Sequence, residues 1–510
     1  MNVSEMLAYQ ARKYPDKDGL ISPDRRLSYK EWNEQVNQMA RAFMRLGVER
    51  GDKIVIHMPN TIEFIVSYFA AHRAGAVVVP IHARLIEKEV SYIYDHSDAV
   101  VLLTHEQTWP QVQGLAEDNT GTFIKTGASQ GNWLSYSALL AQEEALEVVN
   151  DASEEEEASI LYTSGTTGTP KGVVFTHKNI LSVSIMMAIE MEMKVSSRIL
   201  HMMPLSHSAP LHLFLTAGTY VGAAHVTASS FTPDLLLELA SREKTTHFFG
   251  APVAYLMAAR HPDVADTDMS WMKHWVYGGA PLSRTEVDFI QEQLDTESLY
   301  CVYGLTEAGP NGTLLLPSEH ERKAGSIGQR AALNCEMKIA RDDGQETGAG
   351  EVGEICLRGD GVMKAYYKDP DLTREVMQDG WLKTGDLAVR DEEGYVWVVD
   401  RMKDMIISGG VNIYPREIET ILLQHPLIED AAVTGVPHPD WGETVKAFIV
   451  SHSRIDQLEE ECRSFLENHL AGYKIPRLYE EVQELPRNAT GKLLKHRLRE
   501  ENQQVQGERS

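Results

Sequence analysis

Cysteine is scarce in this chain. The four present, Cys301, Cys335, Cys356 and Cys462, lie far apart with no CxxC pair. That spacing argues against a thiolate zinc site and against a disulfide framework. Reduced thiols in a cytoplasmic protein are the reading expected of it. Basic residues are also in deficit: 48 Lys+Arg stand against 74 Asp+Glu, a formal net charge of −26. Such an excess argues against nucleic acid and against an anionic lipid surface as non-specific partners. It leaves room for a small anionic ligand in a local cationic pocket. Long apolar runs are missing too. The stretch Phe64 to Ile81 is interrupted by His72 and Arg73, and a spanning helix needs about 20 apolar residues. No transmembrane segment is expected, while peripheral contact with a membrane is left open. Met1-Asn2-Val3-Ser4-Glu5 carries no basic stretch ahead of an apolar one, so no signal peptide is expected. Repeats and low-complexity tracts are absent apart from the acidic run Glu154–Glu157.

What remains is an ordinary globular composition, 43% hydrophobic and 24% charged over 510 residues. The length suggests about three units, or one large domain with a small one. Ile62, Ile65, Val66, Phe69 and Ala70 form a helical stripe, with Asn60 as its expected N-cap and Gly75 as its stop. Ala76 to Ile81 then reads as a buried strand. A helix followed by an apolar strand is the pattern of an α/β layer around a parallel sheet. It recurs as helix Pro233–Arg242 with strand Thr245–Phe249, and helix Ser283–Leu294 with strand Leu299–Val302. From about 325 to 400 the segments are short, β-rich and glycine-punctuated, with Asp343-Gly344 and Glu393-Gly394 as turns. After Asp400-Arg401 come a helix at Pro415–Gln424, strands at Ala431–Thr434 and Val445–Val450, a helix with Ile455, Leu458, Cys462, Phe465, Leu466 and Leu470 on one face, and a final basic helix from about Leu493 to Arg499. The expected fold is therefore α/β: a large N-terminal body, 1–400, of layered sheets with a small β-barrel-like subdomain at about 325–400. A small α+β domain, 401–510, follows it.

The most informative segment is Thr163-Ser164-Gly165-Thr166-Thr167-Gly168-Thr169-Pro170-Lys171-Gly172. It follows a strand ending at Tyr162. Glycines let backbone N–H groups close on an oxyanion, hydroxyls add donors, and lysine adds charge. A polyphosphate suits that donor set. The loop is not a Walker A motif, because Pro170 precedes Lys171 where that motif has glycine, and Gly172 follows where it has Ser or Thr. An ordinary flexible turn is the competing reading of this segment taken alone.

This segment resembles the signature loop of the adenylate-forming superfamily, which includes acyl-CoA synthetases, beetle luciferases and peptide-synthetase adenylation domains. Further blocks follow in the family's order: Tyr277-Gly278-Gly279-Ala280-Pro281, Tyr303-Gly304-Leu305-Thr306-Glu307, Gly380 to Asp386, Asp400 to Asp404, Ser408-Gly409-Gly410, and Pro486 to Lys492. The resemblance spans nearly the whole chain. It implies a fold with a mobile C-terminal domain and a hinge at about 401–404. It implies ATP, Mg²⁺ and CoA as cofactor and co-substrates, and a small carboxylic acid as substrate. The carboxylate would attack the α-phosphorus of ATP, pyrophosphate would leave, and the CoA thiolate would displace AMP from the acyl-adenylate. Because two anions must meet, positioning and charge stabilisation dominate such chemistry.

By the same resemblance Thr163, Ser164, Gly165, Thr166, Thr167, Gly168 and Lys171 are expected around the β- and γ-phosphates. Glu307, with Thr306, is expected to hold Mg²⁺, which prefers oxygen ligands and keeps several waters. Tyr303 would stack on adenine beside Gly304, and Gly279, Ala280 and Pro281 would lie along the nucleotide. Asp386 would accept the ribose hydroxyls with Arg401 assisting, although a structural ion pair is the plainer reading of both. Lys492 would bridge the carboxylate and the α-phosphate during adenylation only, and Lys403 would be the hinge. The expected catalytic set is Lys492, Thr163 and Glu307. Ser408, Gly409 and Gly410 would face CoA.

The acyl pocket is expected around Gly250, Gly278 and Leu305, with His207 as its gate or as a merely structural histidine. Amino-acid-activating relatives carry an aspartate near this position, and no acid lies between Pro204 and Pro210. Ala209, Leu211, Phe249 and Ala251 add small or apolar groups, which suits an aliphatic or aromatic tail. A fatty acid–CoA ligase is the leading expectation. An aryl-acid–CoA ligase, an acyl-AMP ligase loading a carrier-protein pantetheine, a non-catalytic nucleotide-binding relative and a luciferase-like oxidation stand beside it. The sequence leaves monomer or homodimer open.

Overall fold

The computed structural model describes residues 1–163, 170–439, 441–452, 457–487 and 493–499. The chain folds into two compact units. The first comprises Met1–Met337 and Cys356–Lys383, and the second Lys338–Ile355 and Thr384–Ser510.

Two layered sheets carry the first unit. In one, Leu299–Tyr303, His274–Gly278, His247–Gly250, Arg198–His201, Ala224–Thr227 and Asp18–Ile21 run parallel in that spatial order. Antiparallel strands close both edges. In the other, Glu157–Thr163, Val77–Ile81, Lys53–His57, Ala99–Thr104, Thr122–Lys125 and Trp133–Ser135 are parallel. Lys171–Thr176 and Ala365–Tyr366 extend it antiparallel. Every residue of Val77–Ile81 is buried, because layers cover both faces of such a sheet.

The helix after Asn60 runs Ile62–Arg73, and Gly75 follows it at φ +81°. Its N-cap is Thr61, whose hydroxyl accepts the Phe64 N–H, and not Asn60. Asn60 is committed elsewhere: its amide donates to the Met203 carbonyl at 2.8 Å and accepts the Leu205 N–H at 2.8 Å. Those loop groups have no strand partner to satisfy them. Pro233–Arg242 forms with the expected bounds, capped by Thr232. The helix expected from Ser283 forms as Arg284–Gln293, with Ser283 and Glu286 making a capping box.

The second unit opens with short β segments. Asp386 pairs with Arg401 and Arg390 with Val396 across an antiparallel hairpin. Asp400 accepts the Arg416 N–H at 2.8 Å, which ties the residues before 401 to the helix Pro415–Leu422. Contacts of this kind group Thr384–Asp400 with the C-terminal residues. Ile428–His438 and Gly442–Ser451 form the central antiparallel pair, edged by Ile406–Ser408, Val411–Ile413 and, in parallel, Leu478–Glu481. Ile418, Leu422, Val433, Val445, Cys462 and Leu466 fill its core. The basic C-terminal helix begins later than its sequence pattern suggests. Leu493 pairs with Arg487 in an antiparallel bridge, and among the described residues the helix starts at residue 495. All four cysteines are free thiols. No helix among the described residues is long and apolar enough to cross a membrane.

Candidate active site

Three neighbouring parallel strands of the first unit end together. Their register sets Gly250 beside Tyr277 and Gly278 beside Val302. The chain therefore presents Gly250, then Gly278-Gly279-Ala280-Pro281, then Tyr303 to Glu307, from adjacent carboxyl ends. Ligands of open α/β sheets bind at such ends. The glycines are sterically required. A Cβ on Gly278 would sit 2.7 Å from the Val302 carbonyl oxygen, and one on Gly304 would collide with the Pro310 carbonyl.

After Tyr303 the chain turns through the 3₁₀ segment Thr306–Ala308, and Gly309 leaves it at φ +92°. The turn is pinned from two sides. Met363 N–H donates to the Glu307 carbonyl at 2.8 Å, and the Ser208 hydroxyl donates to Thr306 Oγ1 at 3.2 Å. Tyr366 OH donates to Glu307 Oε1 at 2.8 Å. Burial, and then the Glu307 charge, push the Tyr366 phenol up, so it is a firm donor. Oε2 of Glu307 takes no hydrogen bond from a described residue.

The phosphate-loop candidate is anchored at both ends. Thr163 pairs directly with Lys171 across the strands Glu157–Thr163 and Lys171–Thr176. Gly172 is needed there, because a Cβ would lie 2.7 Å from Ile160 Cγ2. The Lys171 ammonium stands 5.8 Å from the centre of the Tyr366 ring. Ser164, Gly165, Thr166, Thr167, Gly168 and Thr169 lie outside the described residues.

His207 follows the loop that Asn60 holds. Its ring stands 5.6 Å from that of His82, and its Nε2 has no hydrogen-bond partner among the described residues. Desolvation, and then His82, push it down to about 4, so the imidazole is neutral at pH 7. A buried π-helix, Ala209–Thr216, follows, an uncommon form that frequently marks functional sites. Phe249, next to Gly250, stacks on Phe214 with ring centres 5.3 Å apart.

The second unit carries the other candidates. Asp386 is buried and pairs with Arg401, Nε to Oδ1, at 2.5 Å. The ion pair anticipated as the plainer reading is thus present. Lys403 is exposed in the 3₁₀ turn Met402–Asp404. Ser408 pairs with Val411 across Gly409 and Gly410, both at positive φ, +57° and +81°. Two such residues make the tight hairpin tip that glycine permits. Lys492 lies outside the described residues. Lys495 pairs with Glu419 at 2.7 Å and Arg499 with Asp404 at 3.0 Å.

Tyr366 and Asn60 were not apparent as site residues from sequence. Tyr366 meets Glu307 only because a two-residue strand pairs with Lys171–Thr176, and no local spacing signals that. Ser208 lies within the acyl-pocket segment, where its hydroxyl was available to reading.

A divalent cation fits this donor set on one condition. No group of three or more His, Cys, Asp or Glu among the described residues could hold a metal. A lone carboxylate at Glu307 holds Mg²⁺ only when substrate oxygens and water complete the shell, which is how that ion is usually bound.

Known proteins match this architecture along its length. The family "AMP-binding enzyme" matches residues 7–367, and "AMP-binding enzyme C-terminal domain" matches 417–492. The long-chain-fatty-acid–CoA ligase FadD13 of Mycobacterium tuberculosis is 32% identical, with 98% of each chain covered. The feruloyl-CoA synthase of an Amycolatopsis species is 35% identical, covering 96% of this chain and 97% of that one. The crystal structure of ATP-bound MatB from Rhodopseudomonas palustris superposes with a TM-score of 0.89 at 27% identity, covering 99% of this chain and 100% of that one. With strand-end glycines, a Thr/Gly loop ending in Lys171 and matches over both halves, this chain belongs to the AMP-binding enzyme family, as an adenylate-forming acid–CoA ligase.

Proposed function

We propose that the chain activates a medium- or long-chain fatty acid: it forms the acyl-adenylate from ATP with release of pyrophosphate, then passes the acyl group to free CoA. One observation carries the substrate reading. The loop beside His207 has no carboxylate, and burial keeps that imidazole uncharged. A substrate amine would find no counter-charge there, while Phe249, Leu305 and the strand-end glycines offer apolar surface. Burying a tail there contributes roughly 0.8 kcal/mol per methylene.

In this reading Lys171 and the residues from Thr163 onward hold the β- and γ-phosphates. Tyr303 and Gly279–Pro281 receive adenine. Glu307 and Thr306 would hold Mg²⁺, whose charge would offset that of the phosphates. Asp386, oriented by Arg401, accepts the ribose hydroxyls. Lys492 neutralises charge between carboxylate and α-phosphate in the first half-reaction, and movement about Lys403 brings Ser408–Gly410 into play in the second.

The 35% identity to a feruloyl-CoA synthase favours a second reading, an aryl acid lying against Phe249. Pyrophosphate release measured across saturated acids of graded length and across hydroxycinnamates, with and without CoA, separates the two. A fatty-acid ligase gives turnover that rises with chain length. Turnover with hydroxycinnamates alone sinks the fatty-acid reading. Product formation only when a carrier protein replaces CoA sinks the free-CoA acceptor.

A further inference from the structure

Between Lys171 and Glu307 stands a residue to which none of the reading above gives a role. Tyr366 is nearly buried, 9% exposed. Its position is fixed three times over. It pairs with Val173 two residues past Lys171, its N–H donates to Thr373 Oγ1 at 2.9 Å, and its ring stands against the Lys171 ammonium. Its hydroxyl reaches Glu307 Oε1 at 2.8 Å.

We propose that Tyr366 is a positioning residue for the metal-binding carboxylate, holding Oε1 of Glu307 so that Oε2 alone is presented to the cation. The proposal rests on Glu307 being the Mg²⁺ ligand. A carboxylate can rotate about its terminal torsion and offer either oxygen, or both. Mg²⁺ demands near-octahedral geometry and gains from a single, fixed oxygen. A phenol donating to the other oxygen removes that freedom. Because Tyr366 also belongs to the strand pair that begins at Lys171, it couples the end of the phosphate loop to the metal acid. Partners of metal ligands characteristically cost about 10- to 100-fold in metal affinity when removed.

The test uses the whole chain and a non-hydrolysable α,β-methylene analogue of ATP, with binding measured calorimetrically over a series of Mg²⁺ concentrations and in EDTA. Tyr366→Phe keeps the ring beside Lys171 and removes only the hydroxyl. It is expected to raise the Mg²⁺ concentration for half-maximal tightening by roughly 10-fold and to leave metal-free affinity unchanged. Glu307→Gln should shift the Mg²⁺ response further, and the double variant should be no worse than Glu307→Gln alone. The ratio of metal-loaded to metal-free affinity is taken within one variant, so partial misfolding cancels. A wild-type Mg²⁺ response in Tyr366→Phe, with Glu307→Gln shifted, overturns the positioning role. Equal weakening with and without metal overturns it as well, since a packing residue would behave that way. An unshifted Glu307→Gln removes the metal assignment itself and the proposal with it.

Discussion

The two units bury their polar side chains in opposite ways. The first is rich in neutral imidazoles. His201 Nε2 and His225 Nδ1 lie 2.9 Å apart, Thr219 Oγ1 meets His225 Nε2 at 3.1 Å, and His247 Nε2 meets the Met191 carbonyl at 2.8 Å. Burial pushes His201 down to about 3 and His247 to about 4. Glu243, held between Arg26 and Arg198, and the buried Arg73 are contrasting ionic elements within it. The second unit keeps charges inside. Glu419 accepts from Lys495 at 2.7 Å and from the Val433 N–H at 2.7 Å, and Asp400 accepts from the Arg401 and Arg416 N–H groups. Burial outweighs those partners and raises both acids. Low dielectric acts in both places; in one it removes charge, and in the other charge persists only while its partner stays.

Removing that partner breaks the comparison most sharply. Lys495→Met leaves Glu419 buried without its cation, which should cost the second unit about 3–5 kcal/mol. Urea unfolding followed by hydrogen exchange should show the second unit opening early and the first unchanged. Equal loss in both would mean the units are not separately stabilised.

Chemistry extends the contrast. In the proposed reading the strand-end residues of the first unit would serve adenylation, and Lys492 would serve that half-reaction only. Lys492→Ala should lower adenylation by about 10²-fold or more, yet leave thioester formation from pre-made acyl-adenylate within about twofold. Lys403→Pro should do the reverse, sparing adenylation and slowing thioester formation. Parallel losses in both steps, from either variant, would end the division of labour between the units.

Acid should pull the units apart. The unfolded chain protonates histidine near 6.5, whereas His201 and His247 resist to about 3 and 4. Below pH 6.5 the unfolded state therefore binds more protons, and each such histidine withdraws up to about 1.4 kcal/mol of stability per pH unit. Glu419 and Asp400 run the other way. Their folded affinities for protons are raised, so their contribution is favourable in acid and is lost as pH rises through the folded values. Hydrogen exchange at pH 7 and pH 5 should show the first unit loosening while the second holds. Loosening of the second unit first would reverse the assignment.

How much of this was legible depended on whether the signal was local. Alternating helices and apolar strands foretold the layered sheets, and the motif blocks singled out Gly278 and Glu307 without placing them at neighbouring strand ends. Pro233–Arg242 could be read to the residue because Thr232 and Pro233 mark its start within one turn. Long-range pairing was not readable. Tyr366 reaches Glu307 across 59 positions, and Asp400 joins the C-terminal residues through the Arg416 N–H, a bond that composition cannot announce. The bridge between Arg487 and Leu493 likewise moves later the start of a helix whose basic pattern alone would have begun it earlier.

The adjacent pair Asn60 and Thr61 sharpens the point at the smallest scale. Sequence preference admits either as the cap of the helix Ile62–Arg73, since Asn and Thr both cap well. In the structure the capping role falls to Thr61 and the tertiary role to Asn60. Asn60→Ala should strand the Met203 carbonyl and the Leu205 N–H, at about 1–3 kcal/mol, and should raise the KM for the acid because the His207 loop loses its tether. Thr61→Ala should cost only about 1 kcal/mol and leave that KM alone. Thermal unfolding and acid-dependence of pyrophosphate release on the two variants separate these outcomes. If Thr61→Ala moved the KM and Asn60→Ala did not, the loop would be held by the helix end, and the side-chain tether across 143 positions would be incidental.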